Sequence, residues 1–187
     1  MNKENKLLFM GANSEHKREE HDYYATEPRA ADDILSKEDF SNIWECACGE
    51  GHLSKRFIER GKNVYSSDII DRGYGDVKDF LSIENQQWNG DIITNPPFKY
   101  AKDFVEKALY IIPEGNKVAM FLKIQFLESQ KRKELFRKYP PKTIYVYSNR
   151  INTVRNGDFE NFKSSTMLFS WFVWVKGYKG ETIIKWI

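Results

Sequence analysis

Apolar and polar positions along the chain fall into short runs that alternate between a helical period and continuous apolar stretches. Residues 1–22 are polar and rich in charge and read as a mobile N-terminal arm. Behind Thr26-Glu27-Pro28, where proline suits a first helical turn, Ala30, Ala31, Ile34 and Leu35 give a helical stripe. The run Ile43–Cys46 reads as a strand that breaks at Gly49-Glu50-Gly51. His52 to Arg60 reads as a helix, with Leu53 and Phe57 four apart and Gly61 as its stop. Val64–Ser67 is a second strand ending at Asp68. Ile92–Thr94 is a third, ending at Asn95-Pro96-Pro97-Phe98. Ala101, Phe104, Val105, Ala108 and Ile112 mark the next helix, stopped by Pro113 and Gly115. Val118–Leu122 reads as a buried strand, Glu128 to Lys138 as a charged helix ended by Pro140-Pro141, and Thr143–Tyr147 as another strand. A polar loop, Ser148 to Ser165, precedes the aromatic run Met167–Val175, and a glycine-containing turn leads to a last strand, Thr182 to Ile187.

Strands alternating with helices, then two strands in succession, predict one α/β domain over residues 23–187. Its sheet is expected to be mostly parallel and to end in an antiparallel C-terminal strand pair. Trp171, Phe172 and Trp174 belong either to the core or to a homodimer surface, and burial of large aromatics favours the core.

The chain has 187 residues, of which 41% are hydrophobic and 30% charged, enough for a globular core. No apolar run approaches the ~18 residues of a membrane span, and no signal peptide is evident, so a soluble, cytoplasmic protein is expected. Cys46 and Cys48 are too close for an unstrained disulfide, and no further ligands accompany them, so no metal site is expected. The net charge of +2 is too mild to announce nucleic-acid binding. The basic residues do cluster, however: Lys131, Arg132 and Lys133, with Arg150 and Arg155 in the polar loop, form either a solvated face or a phosphate-contacting surface.

Two turns carry candidate chemistry. Glu45-Cys46-Ala47-Cys48-Gly49-Glu50-Gly51 lies where a doubly wound sheet passes from its first strand to a helix, and glycines there let the backbone turn sharply beside a ligand. Asp68, after the second strand, sits where an acid binds ribose hydroxyls. The spacing is not that of a dinucleotide fingerprint, and Glu45 suits a cationic amino-acid group better than a pyrophosphate. The pattern fits a nucleoside that carries no phosphate.

At Asn95-Pro96-Pro97-Phe98 neither proline offers an N–H, so the turn presents the Asn95 amide oxygen and the Pro96 carbonyl as acceptors. Two fixed acceptors suit an –NH2 group, and Phe98 offers a flat face for a planar base. The exocyclic amine of adenine is a poor nucleophile because its lone pair is delocalised into the ring. Holding its N–H groups out of plane favours a pyramidal nitrogen, so that positioning and electrostatics supply the catalysis.

With these residues in place, the chain resembles class I S-adenosylmethionine-dependent methyltransferases of the amino-methylating group, and most closely the small phage-type DNA N6-adenine methyltransferases. The resemblance covers nearly everything after residue 22 and implies a Rossmann-like fold with S-adenosyl-L-methionine as cofactor. It assigns Tyr24, Thr26 and Pro28 to a cofactor-side motif, in which Glu27 is an insertion. Glu45, Cys46, Ala47, Gly49 and Gly51 correspond to the cofactor loop, Asp68 to the ribose acid, and Asp79-Phe80 to the pair that holds the cofactor's adenine. Asn95, Pro96, Pro97 and Phe98 correspond to the catalytic turn. The closing stretch, Phe121-Leu122-Lys123 through Ser170–Trp174 to Ile184–Ile187, also looks like such proteins. The target would be adenine in DNA. The alternatives are adenine in RNA, a protein glutamine, and an idle cofactor-binding module.

Overall fold

The computed structural model describes residues 23–84, 87–155 and 167–187. The expected arm and residues 156–166 of the polar loop lie outside the described residues. In chain order, strand β1 (Tyr24–Thr26) leads to helix α1 (Arg29–Leu35), β2 (Ile43–Glu45), α2 (His52–Glu59), β3 (Val64–Asp68), β4 (Asp76–Val77) and β5 (Ile92–Thr94). Then follow α3 (Ala101–Ile111), β6 (Lys117–Lys123), α4 (Lys133–Lys138), β7 (Thr143–Val146), β8 (Thr153–Arg155), β9 (Phe169–Val175) and β10 (Ile183–Trp186).

Eight strands form one sheet in the order β10-β7-β9-β6-β5-β2-β3-β4, and β1 and β8 pair separately. Every pairing in the large sheet is parallel except those of β9, which runs antiparallel between β6 and β7. The expected mostly parallel α/β sheet is therefore present. Its last two strands do run in opposite directions, but they are not neighbours: β7 lies between them. No helix among the described residues is long and apolar enough to cross a membrane.

Alternation along each strand divides the core between the two faces of the sheet. Trp44, Ile92, Met120, Phe172 and Trp174 face α3, which buries Phe104, Val105 and Ala108 against them. Ile43, Ile93, Phe121, Trp171 and Val173 face α1 and α2, which contribute Ala30, Ile34, Leu53 and Phe57. Because both faces are covered, the central strands read as continuous apolar runs. β9 is buried along nearly its whole length, which places Trp171, Phe172 and Trp174 in the core. At the lower rim the buried Asp91 carboxylate accepts from Ser41 N and Lys117 N (both 2.7 Å), tying neighbouring strands together.

Two local expectations change. The segment Glu128–Lys138 is not one helix. A 3-10 turn at Gln130–Arg132 precedes α4, because Arg132 donates back to the carbonyls of Phe126 (2.6 Å), Gln125 (3.1 Å) and Glu128 (2.9 Å). With Leu135 the sole buried side chain of α4, no apolar stripe holds a longer helix in place. The polar loop, in turn, contains β8, which pairs antiparallel with Tyr24–Thr26.

Trp171 joins β9 to α1 through packing and through Nε1, which donates to the Ala30 carbonyl (3.1 Å). Trp171→Phe is expected to cost roughly 1–3 kcal/mol from the lost bond and the void. A urea midpoint falling at constant slope would show this, and an unchanged midpoint would contradict the core assignment.

Candidate active site

Parallel strands end on one rim, and there the two turns meet. A pocket of about 870 Å³ is lined by Glu45, Cys46, Ala47 and Cys48 on one side and by Asn95, Pro96, Pro97 and Phe98 on the other. Tyr24, Thr26, Asp68, Asp79 and Phe80 line the same pocket. Three residues expected at the cofactor are not among its lining residues. Pro28 precedes α1, Gly51 stands at the head of α2, and Gly49 acts through its amide.

On the glycine side, Asp68 accepts from Gly49 N (2.9 Å) through one carboxylate oxygen and from Ile70 N (3.0 Å) through the other. This fixes the β3 acid to the turn while lone pairs stay open to the pocket. Gly49 has φ +56°, and a Cβ there would overlap the Tyr23 ring, so close packing of that ring as well as the turn demands glycine. The Tyr23 hydroxyl meets His52 Nδ1 (2.9 Å) and accepts from Glu50 N (3.2 Å), and the Arg72 guanidinium lies over the ring (4.6 Å). Burial pushes the Tyr23 phenol up to about 12 and lowers His52. The thiols of Cys46 and Cys48 are free and buried, and burial holds both well above the ordinary range.

Glu45 is buried at the end of β2. The Ser54 hydroxyl donates to it, Ser54 in turn meets Ser66 Oγ (2.6 Å), and no cation among the described residues pairs with it. Desolvation pushes its carboxyl up to about 8. This end of the pocket therefore carries acid, with Glu45 and Asp68 together, and it disfavours phosphate.

On the other side, Asn95 Nδ2 donates to Tyr24 O (3.1 Å) and Thr26 Oγ1 (2.9 Å), whereas Asn95 Oδ1 is buried without a partner among the described residues. Pro97 (φ −54°, ψ 122°) opens a 3-10 turn, Phe98–Tyr100, and its carbonyl accepts from Tyr100 N (2.9 Å). The Phe98 ring lies against Tyr24 and Phe169, and Lys123 Nζ stands 4.5 Å from its centroid.

The expected basic contacts are not at the pocket. Lys131 and Lys133 are set back on the 3-10 turn and the start of α4, and Arg132 is committed to three carbonyls and to the Phe126 ring (4.7 Å). The Arg150 carbonyl accepts from Arg29 Nη2 (3.1 Å). The side chain of Arg155 lies outside the described residues. Sequence reasoning missed Tyr23, His52, Arg72 and Lys123, all of which line the pocket. Tyr23 and Arg72 are brought in by tertiary packing alone. Lys123 had a signal, since it ends an apolar strand on the ligand-binding rim.

The chain superposes on a "putative RNA methyltransferase" from Pyrococcus horikoshii with a TM-score of 0.60 and 15% identity, covering 94% of this chain and 98% of that one. The chain has a class I methyltransferase fold. A "putative class i s-adenosylmethionine-dependent methyltransferase" from Listeria monocytogenes gives 0.57 at 15% identity, over 85% and 63% of the two chains. A "predicted O-methyltransferase" from Agrobacterium tumefaciens gives 0.57 at 11%, over 77% of each. Neither a protein-family profile nor a curated protein sequence matches the chain.

Within this methyltransferase fold, Glu45 gives a pH signature. Its folded pKa of about 8 lies above the ordinary 4.5, so its contribution to stability is complete at acid pH and is lost as pH rises through about 8. The ligand-free protein should lose stability between pH 5 and pH 8, and Glu45→Gln should flatten that loss. Parallel melting curves for parent and variant across this window would contradict the assignment.

Proposed function

We propose that the chain transfers a methyl group from S-adenosyl-L-methionine to the exocyclic N6 amine of adenine in DNA. The observation that carries this reading is the buried, unpartnered Asn95 Oδ1 at the pocket wall, an acceptor fixed at the head of a turn whose prolines offer no donor.

The glycine side fits the cofactor on chemical grounds. Glu45 is a buried carboxyl lacking a cation, which suits a ligand bearing an ammonium and a sulfonium. Asp68, already held by two amides, suits ribose hydroxyls, and the pair of acids argues against a phosphorylated nucleotide. Asp79, Phe80 and the backbone of Cys46 and Ala47 would complete the adenosine end. When bound, the cofactor supplies an electrophilic methyl group.

The chain's own residues do the rest. Asn95 Oδ1 accepts an N–H of the target amine and, with the Pro96 carbonyl, holds it out of conjugation with the ring. Phe98, steadied by Tyr24, Phe169 and Lys123, stacks the base. Asn95 Oδ1 also stabilises positive charge as it develops on nitrogen. The amine attacks as the neutral group: the N–C bond forms as the methyl–sulfur bond breaks, the neutral thioether leaves, and the methylated nitrogen then gives its extra proton to water.

In a duplex the adenine must leave the stack, at a cost of a few kcal/mol. Phosphate contacts offset part of this. Lys99 and Lys123, at the pocket, join Lys131, Arg132, Lys133, Arg150 and Arg155 as the proposed set, although Nε and Nη2 of Arg132 already donate to carbonyls of its own turn. RNA is the second reading, favoured by the fold likeness to the Pyrococcus horikoshii protein.

Asp68→Ala is expected to weaken cofactor binding by roughly 1–3 kcal/mol, while Asn95→Ala leaves it nearly intact and removes most turnover. Calorimetry alongside a methyl-transfer assay separates the two. Loss of cofactor binding in Asn95→Ala would mean that the roles are misassigned. Activity should also fall steeply with salt, and charge reversal at Lys99, Lys131 and Lys133 should raise the Michaelis constant for nucleic acid without altering cofactor affinity. Salt-insensitive turnover would speak against a polyanionic substrate.

A further inference from the structure

The direction in which the Asn95 amide is turned decides whether the pocket meets an acceptor or a donor. Both of its N–H bonds are taken up, by Tyr24 O (3.1 Å) and Thr26 Oγ1 (2.9 Å), which leaves Oδ1 as the amide atom with no partner among the described residues. A carbonyl can only accept, so turning the amide over would set Asn95 Oδ1 against the Tyr24 oxygen and would present the target amine with a second donor. Thr26 is 3% exposed, and its hydroxyl oxygen is the one side-chain atom engaged in this anchorage. β1 is itself held in register by β8, with Tyr24 opposite Arg155, Ala25 opposite Val154 and Thr26 opposite Thr153. Beyond the ladder, Glu27 N donates to Asn152 O (3.1 Å) and Asn152 N to Glu27 Oε2 (3.2 Å).

We propose that Thr26 is a positioning residue for the transfer step and not a cofactor ligand, and that the β1–β8 ribbon is the frame that holds Asn95 with its oxygen toward the target. The inference rests on the reading of Asn95 as the group that holds the target amine. It gives the residue pattern around Thr26 a different task from the cofactor-side role implied by the resemblance. It also ties β8 to the Asn95 turn, because any shift of β8 moves the two oxygens that orient the amide.

Thr26→Val removes the acceptor and keeps the shape, whereas Thr26→Ser keeps the acceptor. Thr26→Val is expected to lower kcat roughly 3–10-fold, the range given by one net hydrogen bond, with the cofactor dissociation constant within about twofold of the parent. Thr26→Ser should restore the rate. A second readout needs no substrate. Exchange of the Asn95 side-chain amide protons, followed by NMR in the free protein, should be slow in the parent and in Thr26→Ser and faster in Thr26→Val. Lost cofactor affinity at unchanged kcat, equal impairment of both variants, or identical exchange in all three proteins would overturn the proposal. If adenine proves not to be the acceptor, the exchange comparison still decides the role of Thr26, so the two failures are told apart.

Discussion

A carboxyl buried at the end of a central strand, with hydroxyls but no cation around it, is the constraint on which the site depends. Glu45 sits among Ser54 and Ser66 at the mouth of β2 and is kept neutral by desolvation up to about pH 8. Ionising such a group inside the protein is costly unless a cation pairs with it, and none does among the described residues, which supports the proposed cationic ligand. Asp68 stands on the next strand and is bound to the Gly49 amide, which gives the same end of the pocket a second acid and fixes the turn between them. Phosphate is disfavoured there, and a cationic nucleoside is favoured.

The sheet converts that selection into chemistry by topology. Because β2, β3, β5 and β6 are parallel, the acid end and the Asn-Pro-Pro-Phe turn share one rim without any long loop to join them. The antiparallel β9 then fills the space between β6 and β7, and its first residue, Phe169, supports the Phe98 ring. The remaining wall comes from outside the large sheet. The β1–β8 ribbon brings Tyr24 and Thr26 to Asn95, so the Asn95 amide is oriented by a strand pair drawn from distant parts of the chain.

What the sequence showed follows the range of the interactions involved. Glu45, Asp68 and Asn95 were legible because each stands at the end of an apolar strand, and strand ends can be read from a few neighbouring residues. Parallel strands buried on both faces made the sheet equally plain. Tyr24–Thr26 was visible as a motif but not as a strand, since its partner Thr153–Arg155 lies in a stretch with no apolar alternation. Tyr23 over Gly49 and Arg72 over Tyr23 depend on side chains meeting in three dimensions, and no spacing announces them. Arg132 has a structural task that its basic cluster does not announce: Nε and Nη2 donate to carbonyls near its own turn. The proposed cofactor assignment of Gly49 and Gly51 takes on an indirect form, since each glycine makes room for a tyrosine ring, Tyr23 and Tyr74 respectively.

The proposed activity is methylation of a base amine by an acceptor-lined turn and an acid-lined pocket on one rim. It is tested most directly by incubating the protein with S-adenosyl-L-methionine and either unmethylated DNA or RNA, digesting the product to nucleosides, and identifying them by mass spectrometry. N6-methyladenine released from the DNA is the expected result, and its appearance from RNA alone would move the substrate to the second reading. Methylated cytosine, or no methylated nucleoside from either polymer, would contradict the claim.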